Sequence, residues 1–311
     1  MKKIVLAIVL VTFFNVNLHA QQAPHYSQYM YNMNVMNPAY AGSKESLSGG
    51  ILYRQQWVGL QGAPKTATLS LHSPVGKNVG LGLSVISDKI GPVEENNIYG
   101  DFSYTLNLGG SQRLALGLKA GFTMHRIGLF SEIGNGYTQQ AGDIAFSENS
   151  SSSNFNIGTG LFYYSEKYYL ALSIPNMLSS IHLNVARNGQ DYKFGSATQH
   201  YFFNGGYVFN LSDNVKFKPS FMMKSAIKVA PSVDVSSNFL FYEKFEAGAS
   251  YRLNDSFVGM VNFAISPSIK IGYAYDYIVS DLKINSPSSH EIMLLFDLNL
   301  PKKVSISPRF F

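Results

Sequence analysis

The stretch Leu114-Ala115-Leu116-Gly117-Leu118-Lys119-Ala120-Gly121-Phe122 alternates strictly. One phase carries Leu114, Leu116, Leu118, Ala120 and Phe122, and the other carries Ala115, Gly117, Lys119 and Gly121. A period of two with unlike phases is the mark of a β-strand with two different faces. The pattern recurs on either side. Val79, Leu81, Leu83 and Val85 oppose Gly80, Gly82 and Ser84, and Ile292, Leu294, Phe296, Leu298 and Leu300 oppose Glu291, Met293, Asp297 and Asn299. Followed along the chain, it predicts an all-β protein of about fourteen strands. Their expected starts lie near residues 47, 65, 78, 96, 112, 153, 167, 199, 214, 230, 244, 257, 268 and 289.

Phase alone does not say which face meets water, because a soluble barrel turns its apolar face inward and an outer-membrane barrel turns it toward lipid. Three features favour lipid. The strands run about ten residues, the length of a tilted membrane crossing rather than of a soluble sheet. Short connections (73–78, 109–111, 165–167, 212–214, 242–244 and 266–268) alternate with the long stretches 126–152, 176–198 and 277–288. Tyrosine and phenylalanine cluster beside the short turns, with Tyr163, Tyr164, Tyr168 and Tyr169 at one and Phe239, Phe241, Tyr242 and Phe245 at another, where an interfacial girdle belongs. Lys119, Lys216, Lys218, Arg252 and Lys270 all fall on the polar phase, as a lumen requires. The expectation is a transmembrane antiparallel β-barrel at residues 47–300, with both termini periplasmic.

Composition agrees. Charged residues are 14% of the 311-residue chain against roughly 25% in soluble domains, and aromatic residues are also 14%, which argues against disorder. No cysteine is present, so disulfides, thiolate catalysis and Cys-ligated metal are excluded. The net charge of +5, part of it from Lys2 and Lys3, is too weak a bias to suggest nucleic acid. Those two lysines, the apolar run Ile4–Phe14 and Ala20 read as a secretory leader over residues 1–20. The apolar run is about eleven residues, short of the roughly twenty that span a bilayer.

Little points to chemistry. The seven histidines are scattered without metal-ligand spacing. Gly80-Leu81-Gly82 and Gly158-Thr159-Gly160 lie inside strands rather than at a turn that opens a helix, so no phosphate-binding loop is expected. Glu246 and Glu291 sit on polar phases with basic neighbours and read as luminal ion-pair partners. No catalytic residue, metal or cofactor is expected. A lipid-modifying Ser/His pair on the wall is the weakest alternative.

Residues 21–46 do not fit the strand pattern. They include Tyr26-Ser27-Gln28-Tyr29-Met30 and Asn37-Pro38-Ala39-Tyr40-Ala41-Gly42, and carry no charge from Gln21 to Ser43. A disordered tail would not hold aromatic residues and methionines so densely. A fourteen-stranded ring is wide enough to leak unless it is filled. The segment is therefore expected to pack in or across the inner mouth, with Tyr26, Tyr29 and Tyr40 as anchors, Pro38 favouring an extended approach and Gly42 turning into the first strand. The other reading is a contact surface for another protein.

These two motifs resemble the opening signature of the PorP/SprF family, outer-membrane components of the type IX secretion system of Bacteroidetes. The likeness continues through Tyr53-Arg54-Gln55-Gln56-Trp57, Pro64-Lys65-Thr66, Val79 to Ser84, Ser87 to Pro92 and the closing Ser307-Pro308-Arg309-Phe310-Phe311. The resemblance implies a partner-specific accessory barrel. Such a barrel supports export and surface retention of a secreted cargo with a C-terminal sorting domain, gliding adhesins among them, beside other type IX components at the outer membrane and periplasm. Tyr26, Ser27, Gln28, Tyr29, Met30, Asn37, Pro38, Ala39, Tyr40, Gly42, Arg54 and Trp57 are the candidate partner-binding or plug residues. On this reading the long stretches present the outer surface, while residues 21–46 and the tail 301–311 face periplasmic partners. The rival is a passive or hydrophobic-solute channel with an N-terminal plug.

The orientation is directly testable. A tag inserted near Ser151 is expected to label on intact cells and one after Ser165 is not; the reverse labelling would invert the barrel.

Overall fold

Why the chain closes into a ring follows from its register. The computed structural model describes residues 24–44, 46–128, 150–178, 181–187, 190–196, 199–227, 229–280, 283 and 288–298. The expected leader 1–20, the expected tail 301–311 and much of the three long stretches lie outside the described residues. The strands are β1 (Leu47–Gln55), β2 (Lys65–Pro74), β3 (Val79–Ile90), β4 (Val93–Gly109), β5 (Gln112–Ile127) and β6 (Ser150–Tyr164). They continue with β7 (Tyr168–Ile174), β8 (Ile181–Arg187), β9 (Gln190–Ser196), β10 (His200–Tyr207), β11 (Phe209–Ser212) and β12 (Val215–Ala226). The last are β13 (Val229–Phe241), β14 (Phe245–Arg252), β15 (Ser256–Ser266), β16 (Ile269–Ile278) and β17 (Ser288–Leu298).

Neighbouring strands pair antiparallel, and β1 closes on β17 from Leu47↔Leu298 to Gln55↔His290. On the far side β10 joins β7 to β12. β10 and β11 both pair with β12 and are two pieces of one barrel strand, interrupted at Val208, whose N–H donates to the Lys167 carbonyl at 2.7 Å. Counted so, the wall is a closed ring of 14 strands, while β8 and β9 form a separate hairpin. Every start expected from alternation falls within three residues of a barrel-strand start.

The phases sort as lipid demands. Leu118 is 63% exposed and Lys119 beside it is 2% exposed. Phe122, Phe155, Phe257 and Ile292 face outward, whereas Lys119, Lys218 and Arg252 are buried inside the ring. The aromatic clusters divide by the same rule. Tyr163 and Tyr168 face outward with hydroxyls 3.2 Å apart, but Tyr164 and Tyr169 point into the lumen and pack on Phe162. Only half of that expected girdle patch is a girdle, because adjacent residues of a strand must point to opposite faces. The belt is completed by rings from neighbouring strands, Tyr168 on Tyr207, Tyr207 on Phe209, Phe209 on Phe217 and Phe217 on Phe239.

One end of the ring carries only tight turns. The other carries the long stretches together with three connections as tight as any, Gly91-Pro92, 227–228 and 253–255. Length alternation therefore describes part of the circumference rather than all of it. Below, these ends are the short-turn end and the long-loop end.

Leu118→Arg is expected to place a cation in lipid at a cost of about 2–4 kcal/mol and to impair membrane assembly, read as loss of heat-modifiable gel mobility. Unimpaired assembly would overturn the outward assignment of that phase.

Candidate functional site

A lumen lined by polar residues must give each of them a partner. Many of those partners come from residues 24–44, which lie inside the ring. Tyr29, Met30, Met33, Asn37 and Ala39 are all at most 1% exposed. The segment is a series of single turns: a 3-10 turn at Tyr29–Tyr31, a short helix at Met33–Met36 and a second 3-10 turn at Pro38–Tyr40. Turns suit a lumen because they satisfy backbone groups locally. The Asn37 N–H donates to the Met33 carbonyl at 2.8 Å and the Ala41 N–H to the Pro38 carbonyl at 3.2 Å. Asn37 itself is extended, as expected of a residue before proline. Its side-chain oxygen accepts from the Ala39 N–H at 2.9 Å and so caps the turn that Pro38 opens. Gly42 takes φ +70°, and its N–H meets His72 Nδ1 at 3.2 Å on the way to β1.

The segment spans most of the height of the ring. At the short-turn end, Asn37 to Ala41 lie on a row of small wall residues brought into one register, Gly80↔Ser103, Ser103↔Gly117, Gly117↔Gly160 and Gly160↔Ser173. A Cβ on Gly80 would overlap the Ala41 carbonyl, one on Gly117 the Ala39 amide, and one on Gly160 the Asn37 side chain. The wall also grips backbone oxygens. Ser103 Oγ donates to the Ala41 carbonyl at 2.5 Å, Ser173 Oγ to that of Met36 at 2.9 Å and Lys119 Nζ to that of Val35 at 3.1 Å. Tyr40 packs edge-on to His72 and Phe162, each with ring centroids 5.2 Å apart.

Near the long-loop end the contacts are ionic. Arg54 reaches Asp276 at 2.7 Å and Glu291 at 3.3 Å, and its Nη1 donates to Ser27 Oγ at 2.9 Å. Glu291 accepts the N–H groups of Ser27 and Gln28 at 2.9 and 2.8 Å, and Ser27 Oγ donates to Asp276 at 2.7 Å. Arg252 pairs with Asp234 at 3.0 Å and reaches Asp276 at 3.5 Å. Two further networks hold Tyr29 and Tyr31, the second of them at the short-turn end, where β12, β14 and β16 begin. The Tyr31 hydroxyl donates to Glu246, which also pairs with Lys218 at 2.8 Å, and Lys218 and Lys270 both sit over the Tyr31 ring. The Tyr29 hydroxyl donates to Ser220 at 3.0 Å. Burial raises the Tyr29 and Tyr40 hydroxyls above the ordinary tyrosine range, so both remain neutral. A cavity of about 20 Å³ beside His25, Tyr29 and Lys224 has room for about one water.

Of the candidate residues, Tyr26 to Met30, Asn37 to Tyr40, Gly42 and Arg54 come together in the lumen. Trp57 does not. It sits in the connection after β1 at φ 49°, its N–H donating to Ser289 Oγ at 3.0 Å. Sequence reasoning missed Asp276, which bridges both arginines, as well as Gly117 and Asn34, whose side-chain amide donates to Asp101 at 3.3 Å. Asp276 lies on the polar phase of β16 beside the polar-phase Glu291 of β17, and that shared phase was its available signal. Among the described residues, no group of three or more His, Asp or Glu residues could hold a metal.

The profile of the family described as "Type IX secretion system membrane protein PorP/SprF" matches residues 18–296. The chain belongs to this family. It is thus an outer-membrane β-barrel of type IX secretion, in the company of other components of that system. Among solved structures it is similar to the CymD monoaromatic hydrocarbon channel, at TM-score 0.50 and 12% identity over 88% of this chain and 94% of that one. The Ralstonia pickettii toluene transporter TbuX gives TM-score 0.49 and 10% identity over 85% and 92%. At such identity the CymD likeness is one of fold. No curated protein matches the chain.

Gly117→Val is expected to push Pro38–Ala39 off the wall and expose the segment to chymotrypsin after Tyr26, Tyr29 or Tyr40. Gly259→Ala, where nothing lies within 4 Å of an added Cβ, should leave it resistant. Equal resistance of the two variants would sink the fit between Gly117 and Ala39.

Proposed function

We propose that this barrel is a non-enzymatic docking and anchoring partner for a secreted surface protein bearing a C-terminal sorting domain, and that residues 24–44 act as its plug. The short-turn end is taken as periplasmic, by the general asymmetry of outer-membrane barrels. The long stretches 126–152, 176–198 and 277–288 then belong to the outer surface, and the tail 301–311 to the periplasm beside other type IX components.

The observation that carries this reading is the occupied lumen. A conducting channel needs a continuous wet path. Here wall side chains that could line one are spent on the segment: Arg54, Glu291, Lys119, Ser103 and Ser173 all bond to it. A ring filled by its own chain is suited to hold a partner on its rim without leaking. Membership of a type IX secretion family supports an exported protein as the partner, with gliding adhesins as one class the sequence resemblance implies.

Two measurements separate docking from the channel alternative. The full-length protein is expected to stay closed in planar bilayers and to co-purify with one large exported protein from its native membrane. Deleting residues 24–40 should raise single-channel conductance while the barrel still assembles. Solute uptake by the full-length protein in liposomes would favour the channel. A deletion variant that conducts no better but loses its exported partner would make the segment a contact surface rather than a plug.

A further inference from the structure

The luminal segment has a direction, and its contacts give it step by step. Gly42 hands the chain to β1 at the short-turn end, where its N–H meets His72 Nδ1, two residues before β2 ends. The Ala41 carbonyl takes Ser103, whose partner Gly80 is the second residue of β3. The Val35 carbonyl accepts from Lys119, which follows Gly117 on the inward face of β5 and lies farther from the short turns. Farther still, the Ser27 N–H donates to Glu291, near the start of β17, and Ser27 Oγ donates to Asp276, two residues before β16 ends. His25 Nε2 lies 2.8 Å from Lys224 Nζ, two residues before β12 ends at Ala226. The backbone thus climbs from the short-turn end at Gly42 to the long-loop end at His25, while the Tyr31 side chain reaches back toward the short turns.

At the top of this climb the chain is surfacing. Tyr26 to Met30 are buried, whereas His25 and Pro24 are only half-buried. The cavities beside this point measure about 10 Å³ against His200 and Lys224 and about 20 Å³ against His25 and Tyr29. Each has room for about one water, too little for a second strand to run back beside the first. The other end of the chain leaves on the opposite side. β17 starts at the long-loop end with Ser288 and finishes at Leu298, opposite Leu47 at the short-turn end.

We propose that the segment threads the barrel from end to end, so that the chain reaches Pro24 from the long-loop rim and leaves β17 at the short-turn end. The side of the membrane rests on the docking reading above, which takes the short-turn end as periplasmic. On that reading the approach to Pro24 lies on the cell surface, among the long stretches that meet the exported partner, and only the tail is left to periplasmic components. The expectation that both ends are periplasmic would then hold for one of them. A threaded segment is not a hinged lid. It cannot swing out of the inner mouth on its connection to β1, because the chain ahead of it lies at the far end. It clears the lumen only by moving lengthwise past Arg54, Asp276 and Glu291, which hold Ser27 and Gln28.

The chain has no cysteine, so single cysteines report position cleanly. Ala23→Cys and Pro24→Cys are compared with Leu60→Cys, in the exposed connection after β1, and Lys77→Cys, in the exposed short turn after β2. Full-length proteins are treated in intact cells with a membrane-impermeant maleimide, which reports the accessibility of each thiol. Both N-terminal cysteines should label on intact cells as Leu60→Cys does, and Lys77→Cys only after the envelope is opened. If Leu60→Cys labels from outside but the N-terminal cysteines follow Lys77→Cys, threading is overturned and the orientation stands. If Leu60→Cys is protected and Lys77→Cys labels, the orientation is overturned, and threading requires the N-terminal cysteines to be protected with Leu60→Cys. Cysteines at 23 and 24 that stay unreactive in the folded, detergent-solubilised barrel would overturn the proposal. So would a mature chain whose mass places its first residue after Pro24.

Discussion

The contact between the backbone of Asn37–Ala41 and the row Gly80, Ser103, Gly117, Gly160 and Ser173 governs the interior. It requires five strands to present small residues at one height, and it requires the segment to turn backbone and the short Asn37 side chain toward them. Each condition explains a residue type. Glycine inside a strand weakens it, so three glycines at one level mark the close approach of another backbone. Proline and the Asn37 cap hold the turn in the shape that fits the row, and alanine at 39 and 41 keeps it thin. Tyr40 then points away from the row onto His72 and Phe162, where a large ring has room.

The ionic networks have a different role. Buried ion pairs contribute little net stability, because desolvation offsets attraction, but removing one partner costs about 3–5 kcal/mol. Arg54, Asp276, Glu291 and Arg252 thus select a position more than they add strength. Ser27 and Gln28 complete the arrangement by donating backbone N–H groups to Glu291, so the carboxylate is satisfied only when the segment is in place. Packing on the glycine row at the short-turn end and the Arg54–Glu291 network at the long-loop end hold opposite ends of one short chain.

How much of this the sequence showed depends on distance along the chain. Alternation is local, so the wall, its phases and the inward lysines were legible from stretches such as Leu114–Phe122. The aromatic pairs at 163–164 and 168–169 were over-read as belt because composition was weighed ahead of the same alternation, which sends Tyr164 and Tyr169 inward. The segment stood out through its aromatic density, but its seat did not. Gly80, Gly117 and Gly160 become neighbours only through the pairings of β3, β4, β5 and β6, and no single window of sequence contains that register. Asp276 was missed for the same reason, since its partners Arg54 and Arg252 lie on β1 and β14.

The two ends of the barrel therefore face opposite demands. A ring of this size in an outer membrane must be filled, and filling it with a folded segment lets the wall keep glycines where bulky side chains would otherwise be needed. That solution consumes luminal hydrogen-bonding groups of Arg54, Glu291, Lys119, Ser103 and Ser173. A barrel whose interior is committed to its own chain is left to meet a partner at its margins.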